Sequence, residues 1–168
     1  MGARLLPRTL PELFAYSLAL ELDATKCYAE LERFMRDVGA EHIADVFETI
    51  GREEREQYEL IALGTSGREL PQLAGWELSW HFMPQAPVRA PRSIRQALAM
   101  ALALERCTQA FYNDVADNSR DDAVRAFAAE MANDEQRHVL RLETLLERQP
   151  DPAASEADED LPPAREIG

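Results

Sequence analysis

Cysteine is scarce in this sequence, and its placement excludes two kinds of site. The chain of 168 residues contains two cysteines, Cys27 and Cys107, which lie far apart and form no Cys-x-x-Cys motif. A disulfide framework needs several cysteines at regular spacing, and a four-cysteine zinc or iron site needs paired motifs. The sequence therefore encodes neither, and it suits a reducing cytoplasm.

Positive charge is also scarce. The chain carries 18 lysines and arginines against 31 aspartates and glutamates, which gives a formal net charge of -13. Nucleic acids and anionic membranes bind to basic stripes, and the sequence has no such stripe. It also lacks an apolar run of the ~20 residues that span a membrane, and its N-terminus lacks the apolar core of a secretory signal. We therefore expect a cytoplasmic protein with no nucleic-acid or membrane partner.

Aromatic residues make up only 7% of the chain, and leucine, alanine and glutamate are prominent, which favours an all-α fold. Apolar residues recur every three or four positions in four segments, which predicts helices over about 10–38, 41–63, 94–117 and 121–149. Capping boxes, Thr9 with Glu12 and Ser93 with Gln96, mark the starts of the first and third helices.

Two segments fall outside this helical pattern. Residues 64–92 contain four prolines and both tryptophans, and they are too long for a simple turn. We interpret them as a crossover held against the bundle by Trp76 and Trp80, with a short helix around Trp76 to His81. A domain of residues 1–149 is followed by an acidic, proline-rich tail, 150–168, whose composition is typical of disorder; a docking role for a partner is the alternative.

The two halves of the chain repeat one another. The stripe at positions 14, 17, 21, 24, 28 and 31 matches the stripe at 98, 101, 105, 108, 112 and 115. Likewise, positions 43, 47, 50, 54, 57 and 61 match 124, 128, 131, 135, 138 and 142. The chain is thus a duplicated helical hairpin, which predicts a pseudo-twofold bundle with a long crossover between the second and third helices.

Each stripe carries one glutamate near its centre: Glu21, Glu54, Glu105 and Glu135. Their distances from the turns place all four at one height to within about one helical turn, ~5 Å. No lysine or arginine shares these stripes, so four buried carboxylates need another cationic partner. Two divalent metals would balance the charge, and His138, three residues after Glu135, adds an imidazole to the same helical face.

Both the first and third helices carry a glutamate followed seven residues later by a tyrosine, Tyr28 or Tyr112. Together with Glu-x-x-His in the fourth helix, this pattern resembles the rubrerythrin branch of the ferritin-like superfamily over about residues 10–148. The resemblance implies a ferritin-like four-helix bundle that holds two carboxylate-bridged metal ions, with iron favoured and manganese or zinc as alternatives.

The resemblance also implies a role for each candidate ligand. Terminal ligands would be Glu21 and Glu105, bridging ligands Glu54 and Glu135, and the imidazole on one metal His138. Where the family pattern has a second histidine this chain has Gln57, either a weak ligand through its amide oxygen or a hydrogen-bonding neighbour, with His81 as the reserve candidate. We therefore expect an asymmetric pair in which the metal position on the Gln57 side is the weaker.

The implied chemistry is oxidation of ferrous iron by O₂ or peroxide, with Tyr28 and Tyr112 orienting ligands or passing electrons; a plain core role for the tyrosines is the alternative. Without a Cys-x-x-Cys iron domain, a redox cycle would need an external electron donor. The family also implies a homodimer. Two other functions remain open: a non-catalytic iron-binding or storage protein, and a metal-free bundle acting as an interaction module.

Overall fold

The computed structural model describes residues 6–73 and 90–150, and these form four helices without a β-strand. The helices are α1 (Leu10–Asp37), α2 (Glu41–Gly64), α3 (Ile94–Asn118) and α4 (Asp122–Glu147). The predicted all-α four-helix bundle of the ferritin-like kind is confirmed, and each helix ends within two residues of its expected position. The expected short helix around Trp76 to His81 and the tail from 151 onwards lie outside the described residues. None of the described helices combines the length and the apolarity needed to cross a bilayer.

Side chains fix the starts of α1 and α3. The Thr9 hydroxyl accepts a hydrogen bond from the Glu12 N–H, and the Glu12 carboxylate accepts one from the Thr9 N–H, which completes a capping box. At α3 the Ser93 hydroxyl accepts from the Gln96 N–H, but the Gln96 side chain accepts from the Arg92 N–H instead of from Ser93. The second capping box is therefore only half formed, although the helix begins where predicted.

Short connections make each half an antiparallel hairpin. Residues 38–40 join α1 to α2, and Gly39 adopts a φ of 74° there, a conformation that glycine adopts without steric cost. Residues 119–121 join α3 to α4. The backbones pack most closely within each hairpin, whereas the two hairpins meet mainly through side chains.

Two hydrophobic clusters occupy opposite ends of the bundle. The first joins the end of α1, the start of α2, the start of α3 and the end of α4, through residues such as Met35, Ile43, Leu98 and Leu145. The second joins the remaining helix ends, through residues such as Leu13, Ile61, Phe111 and Val124. The end of α2 and the start of α3 thus lie at opposite ends of the bundle. The connection between them has to cover the length of a 24-residue helix, ~36 Å.

A layer of ionisable side chains separates the two clusters. Each helix contributes one glutamate, and α4 adds a histidine, with exposed fractions of only 1–6%: Glu21, Glu54, Glu105, Glu135 and His138. Within the described part of the chain, no lysine or arginine is buried with them. This layer is the candidate site.

Candidate metal centre

Four of these side chains offer ligand atoms that all lie within 4.8 Å of one another: Glu54, Glu105, Glu135 and His138. The His138 Nδ1 atom lies 2.8 Å from Glu54 Oε1, 3.6 Å from Glu105 Oε2 and 3.7 Å from Glu135 Oε2. Carboxylate oxygens around an imidazole nitrogen are donors that iron, manganese and zinc all accept. The cluster could therefore hold a metal ion.

Hydrogen bonding within the cluster is incomplete. Glu54 Oε1, Glu135 Oε2 and His138 Nδ1 are buried and have no hydrogen-bond partner, because even the 2.8 Å contact between His138 and Glu54 lacks hydrogen-bond geometry. A buried polar atom without a partner costs about 1–3 kcal/mol. Three such atoms facing one another are explained by a cation that binds all of them, so the residues present fit a metal.

The electrostatics of the layer point the same way. Burial, followed by the neighbouring Glu54, raises the pKa of Glu21 well above its ordinary value. Burial, followed by Glu105, does the same to the pKa of Glu135. Burial alone would lower the pKa of His138, but the carboxylates of Glu105, Glu135 and Glu54 outweigh it and raise that pKa strongly. Glu21 and Glu135 therefore hold their protons more tightly than a free carboxyl group does, unless a cation replaces those protons.

Glu105 is the exception among the carboxyl groups. Burial would raise its pKa, but interactions with the neighbouring Glu135 and His138 outweigh that effect and lower it. Glu21 lies beside the four-residue group and next to Glu54. The two equivalent glutamates of α1 and α3 therefore have opposite pKa shifts, because the imidazole contacts only one of them.

The tyrosines cross from one hairpin to the other. The buried hydroxyl of Tyr28 in α1 donates to Glu105 in α3, and that of Tyr112 in α3 donates to Glu21 in α1 over 3.1 Å. Each tyrosine thus holds the glutamate of the opposite hairpin in place. This arrangement suits the predicted role of orienting the ligands, while electron transfer by the tyrosines stays a prediction.

A second pair of crossed contacts was not predicted. His138 Nε2 lies 2.9 Å from Glu53 Oε2, while Gln57 Nε2 donates to Asp134 Oδ2 over 3.0 Å. Glu53 directly precedes Glu54, and Asp134 directly precedes Glu135. The sequence does show an acid just before the central glutamate in both halves, which could have indicated these contacts. That acid lies off the apolar stripe, however.

The comparisons with known proteins agree with this geometry. Residues 12–146 match the family model described as rubrerythrin. The chain belongs to the rubrerythrin family. It is also similar to the crystal structure of an uncharacterised conserved protein from Magnetospirillum magnetotacticum MS-1. The two are 30% identical over 86% of this chain and 97% of the other, with a TM-score of 0.76. No curated protein matches the chain significantly.

Membership of the rubrerythrin family confirms the resemblance drawn from the glutamate, tyrosine and histidine spacing. Gln57 stands where the resemblance predicted a second histidine, and the structure places its side chain near the layer, half-buried, at the position equivalent to His138. His81, the reserve ligand, lies outside the described residues. In the described part of this rubrerythrin, the first half therefore contributes two glutamates and an amide where the second contributes two glutamates and an imidazole.

A cavity of about 180 Å³ between α2 and α4 leads to the layer. Its inner wall includes Glu54, Glu135 and His138, and its outer wall includes Glu56 and Leu60, of which Leu60 is 65% exposed. The volume admits molecules of the size of peroxide or O₂. The rubrerythrin layer is therefore buried but accessible from the α2–α4 side.

Proposed function

We propose that the protein binds two metal ions, with iron the favoured metal, and couples the oxidation of ferrous iron to the reduction of peroxide or O₂. The observation that carries the proposal is the set of buried polar atoms without a hydrogen-bond partner on Glu54, Glu135 and His138, at the centre of a rubrerythrin-family bundle. Such atoms are costly in a plain core, and they have a direct explanation in a metal centre.

When bound, the ferrous pair supplies two electrons, which together with two protons convert one peroxide molecule into two of water. The four glutamates supply four negative charges, which match the charge of two divalent ions. The metal ions would be held by Glu54 on α2, Glu135 and His138 on α4, and Glu21 and Glu105 on α1 and α3. Tyr28 and Tyr112 hold the carboxylates of Glu105 and Glu21 in one orientation.

The two hydrophobic clusters keep bulk water away from the layer on both sides along the bundle axis. The cavity between α2 and α4 leaves room for a small oxidant but not for a large reductant. Because the sequence has no Cys-x-x-Cys iron domain, electrons come from an external donor in this proposal. The proposal also includes a homodimer and a docking role for the tail at 150–168. Light scattering of the full and tail-truncated chains tests both.

The decisive experiment loads the protein with Fe²⁺ without oxygen, counts the metal per chain, and follows the oxidation of the iron after addition of peroxide or O₂. The proposal expects two metals per chain, and it expects the bound iron to be oxidised after the first addition of peroxide or O₂. Glu54→Ala and Glu135→Ala should lose most of the metal, whereas Glu130→Ala, the same change at an exposed site on α4, should not.

Two outcomes would count against the proposal. Bound iron that peroxide and O₂ leave unoxidised would favour a storage protein. Less than about one metal per chain, unchanged in Glu54→Ala and Glu135→Ala, would favour a metal-free interaction module.

A further inference from the structure

We propose that Gln57 binds the second metal through its side-chain oxygen, Oε1, and that Asp134 is the positioning residue that turns this oxygen towards the centre. The inference rests on the proposed function, since it concerns the same centre, but it assigns roles that membership of the family does not. It starts from the amide of Gln57 and its two hydrogen-bond acceptors.

Both N–H groups of the Gln57 amide are engaged. Nε2 donates to Asp134 Oδ2 over 3.0 Å and to Met131 Sδ over 3.1 Å. An ionised carboxylate only accepts hydrogen bonds, so the amide nitrogen has to face Asp134. The opposite orientation would place Oε1 against the carboxylate oxygen with no proton between them. The orientation is therefore fixed, and Oε1 is the polar atom left free for another partner.

Asp134 is itself held in position. Arg137 Nη2 donates to its other oxygen, Oδ1, over 2.7 Å, which leaves Oδ2 directed at Gln57. Gln57 lines the same cavity as Glu21, Glu54, Glu135 and His138, so its side chain lies beside the candidate ligands. An amide oxygen is a hard donor that suits Fe²⁺ and Mn²⁺ beside carboxylates.

In the second half of the chain a histidine has the same arrangement, in which an arginine holds an acid and the acid contacts a side-chain nitrogen. His138 Nε2 contacts Glu53, and Arg141 Nη1 holds Glu53 through both carboxylate oxygens at 3.0 and 3.1 Å. With Nε2 occupied, Nδ1 faces the glutamates and is one of the unpaired atoms of the centre. In each half, an acid on the opposite hairpin holds one nitrogen of the side chain, and in this proposal the remaining acceptor atom binds the metal.

The test is an anaerobic titration with Mn²⁺, which does not oxidise readily, followed by calorimetry. The wild-type protein should bind two ions, one tightly and one weakly. Gln57→Leu, which removes Oε1, should weaken the second step at least ~10-fold, and Asp134→Ala should weaken it by ~10–100-fold. Asp134→Asn keeps an oxygen that can accept from Gln57, so it should stay within ~3-fold of wild type.

Two controls separate orientation from charge and from folding. Glu130→Ala removes one exposed negative charge from the same helix and should leave both steps unchanged. In ¹⁵N-glutamine-labelled wild type, the side-chain amide signal that Gln57→Leu abolishes should move when Zn²⁺, a diamagnetic probe, fills the second position. This readout needs neither activity nor a folded Asp134 variant.

The outcomes distinguish this inference from the proposed function. If two ions bind but Gln57→Leu leaves the weak step unchanged and the amide signal does not move, Gln57 is no ligand and the metal centre still stands. If Asp134→Asn weakens the second step as much as Asp134→Ala does, Asp134 acts through its charge and not by orienting the amide. If the wild-type protein binds no ion at all, the proposed function itself fails.

Discussion

The two hairpins present the same positions to one centre but with different side chains. Glu21 and Glu105 are equivalent, as are Glu54 and Glu135, and the crossed tyrosines relate them by a pseudo-twofold axis. Position 57, however, is glutamine, whereas the equivalent position 138 is histidine. Duplication has therefore preserved the scaffold and the carboxylates, while the side chain at this pair of positions differs.

The difference reaches beyond that pair. The neighbouring Glu135 and His138 lower the pKa of Glu105, whereas burial and the neighbouring Glu54 raise the pKa of its counterpart, Glu21. The acid behind the histidine, Glu53, is held by Arg141, whereas the residue equivalent to Arg141 is Leu60. Equivalent glutamates in the two halves thus have opposite pKa shifts, and the residues beside the two acids differ as well.

The largest effect should come from making the halves alike with His138→Gln. This change replaces the imidazole with an amide and leaves two weak positions, so the affinity of the tight step should fall at least ~100-fold, about 2.7 kcal/mol. Calorimetry with Mn²⁺ measures it, and Gln136→Leu, a half-buried neighbour on the same helix, is the control. A tight step that survives His138→Gln would mean that the asymmetry has another origin.

The next effect concerns the acid behind the histidine. Glu53→Ala removes the contact at Nε2 that fixes the orientation of the His138 ring, so the tight step should weaken by ~10–100-fold while the weak step stays the same. Asp134→Ala should do the reverse. If each variant affected both steps equally, the two acids would act as general negative charges and the comparison between halves would not extend to them.

The pH dependence of the metal-free protein should show the protons that the centre retains. The pKa of Glu21 and that of Glu135 are raised, first by burial and then by neighbouring carboxylates, so the folded chain holds protons that the unfolded chain loses above about pH 4.5. The free energy of unfolding therefore falls as the pH rises from there. The pKa of His138 is raised too, so above its ordinary pKa of 6.5 this residue also makes the free energy of unfolding fall as the pH rises.

Thermal unfolding between pH 5 and pH 8 measures this effect. The Tm of the metal-free protein should fall with rising pH, by about 2–4 °C for each kcal/mol lost in a chain of this size. The Tm of the metal-loaded protein should not fall in this way, since bound cations replace the protons. His138→Gln should flatten the fall above pH 6.5. A metal-free Tm that rises over the whole range would contradict the assigned protonation.

A smaller effect distinguishes the two tyrosines. Tyr28 donates to Glu105, whose pKa is lowered, and Tyr112 donates to Glu21, whose pKa is raised. A hydrogen bond to an ionised group contributes about 1.5–3 kcal/mol, and one between neutral groups about 0.5–1.5 kcal/mol. In the metal-free protein, Tyr28→Phe should therefore lower the free energy of unfolding more than Tyr112→Phe does. Urea unfolding near neutral pH measures both, and equal losses would remove the distinction between the two carboxylates.

The part of this centre that the sequence predicts is the part that lies on the apolar stripes. The helical period and the repeat predict the four helices, Glu21, Glu54, Glu105 and Glu135, and the inward position of His138. Glu53 and Asp134 lie one position off the stripes, where acids are common on solvated helix faces, so periodicity does not single them out. Their contacts depend on how one hairpin is rotated against the other, and spacing along a single helix carries no information on that rotation.

The smallest effect tests whether the hairpins also differ in packing. Gly51 in α2 is equivalent to Ala132 in α4, and a Cβ atom on Gly51 would lie 3.0 Å from Tyr28 Cβ. Gly51→Ala should gain about 1 kcal/mol of helix propensity but lose about 1–3 kcal/mol through overpacking, so the net change should be a loss of up to about 2 kcal/mol. Gly64→Ala, where a Cβ atom meets nothing within 4 Å, should show no loss. If urea unfolding shows both variants equally stabilised, Tyr28 moves aside without cost. The α1–α2 hairpin would then tolerate the alanine that the α3–α4 hairpin already carries.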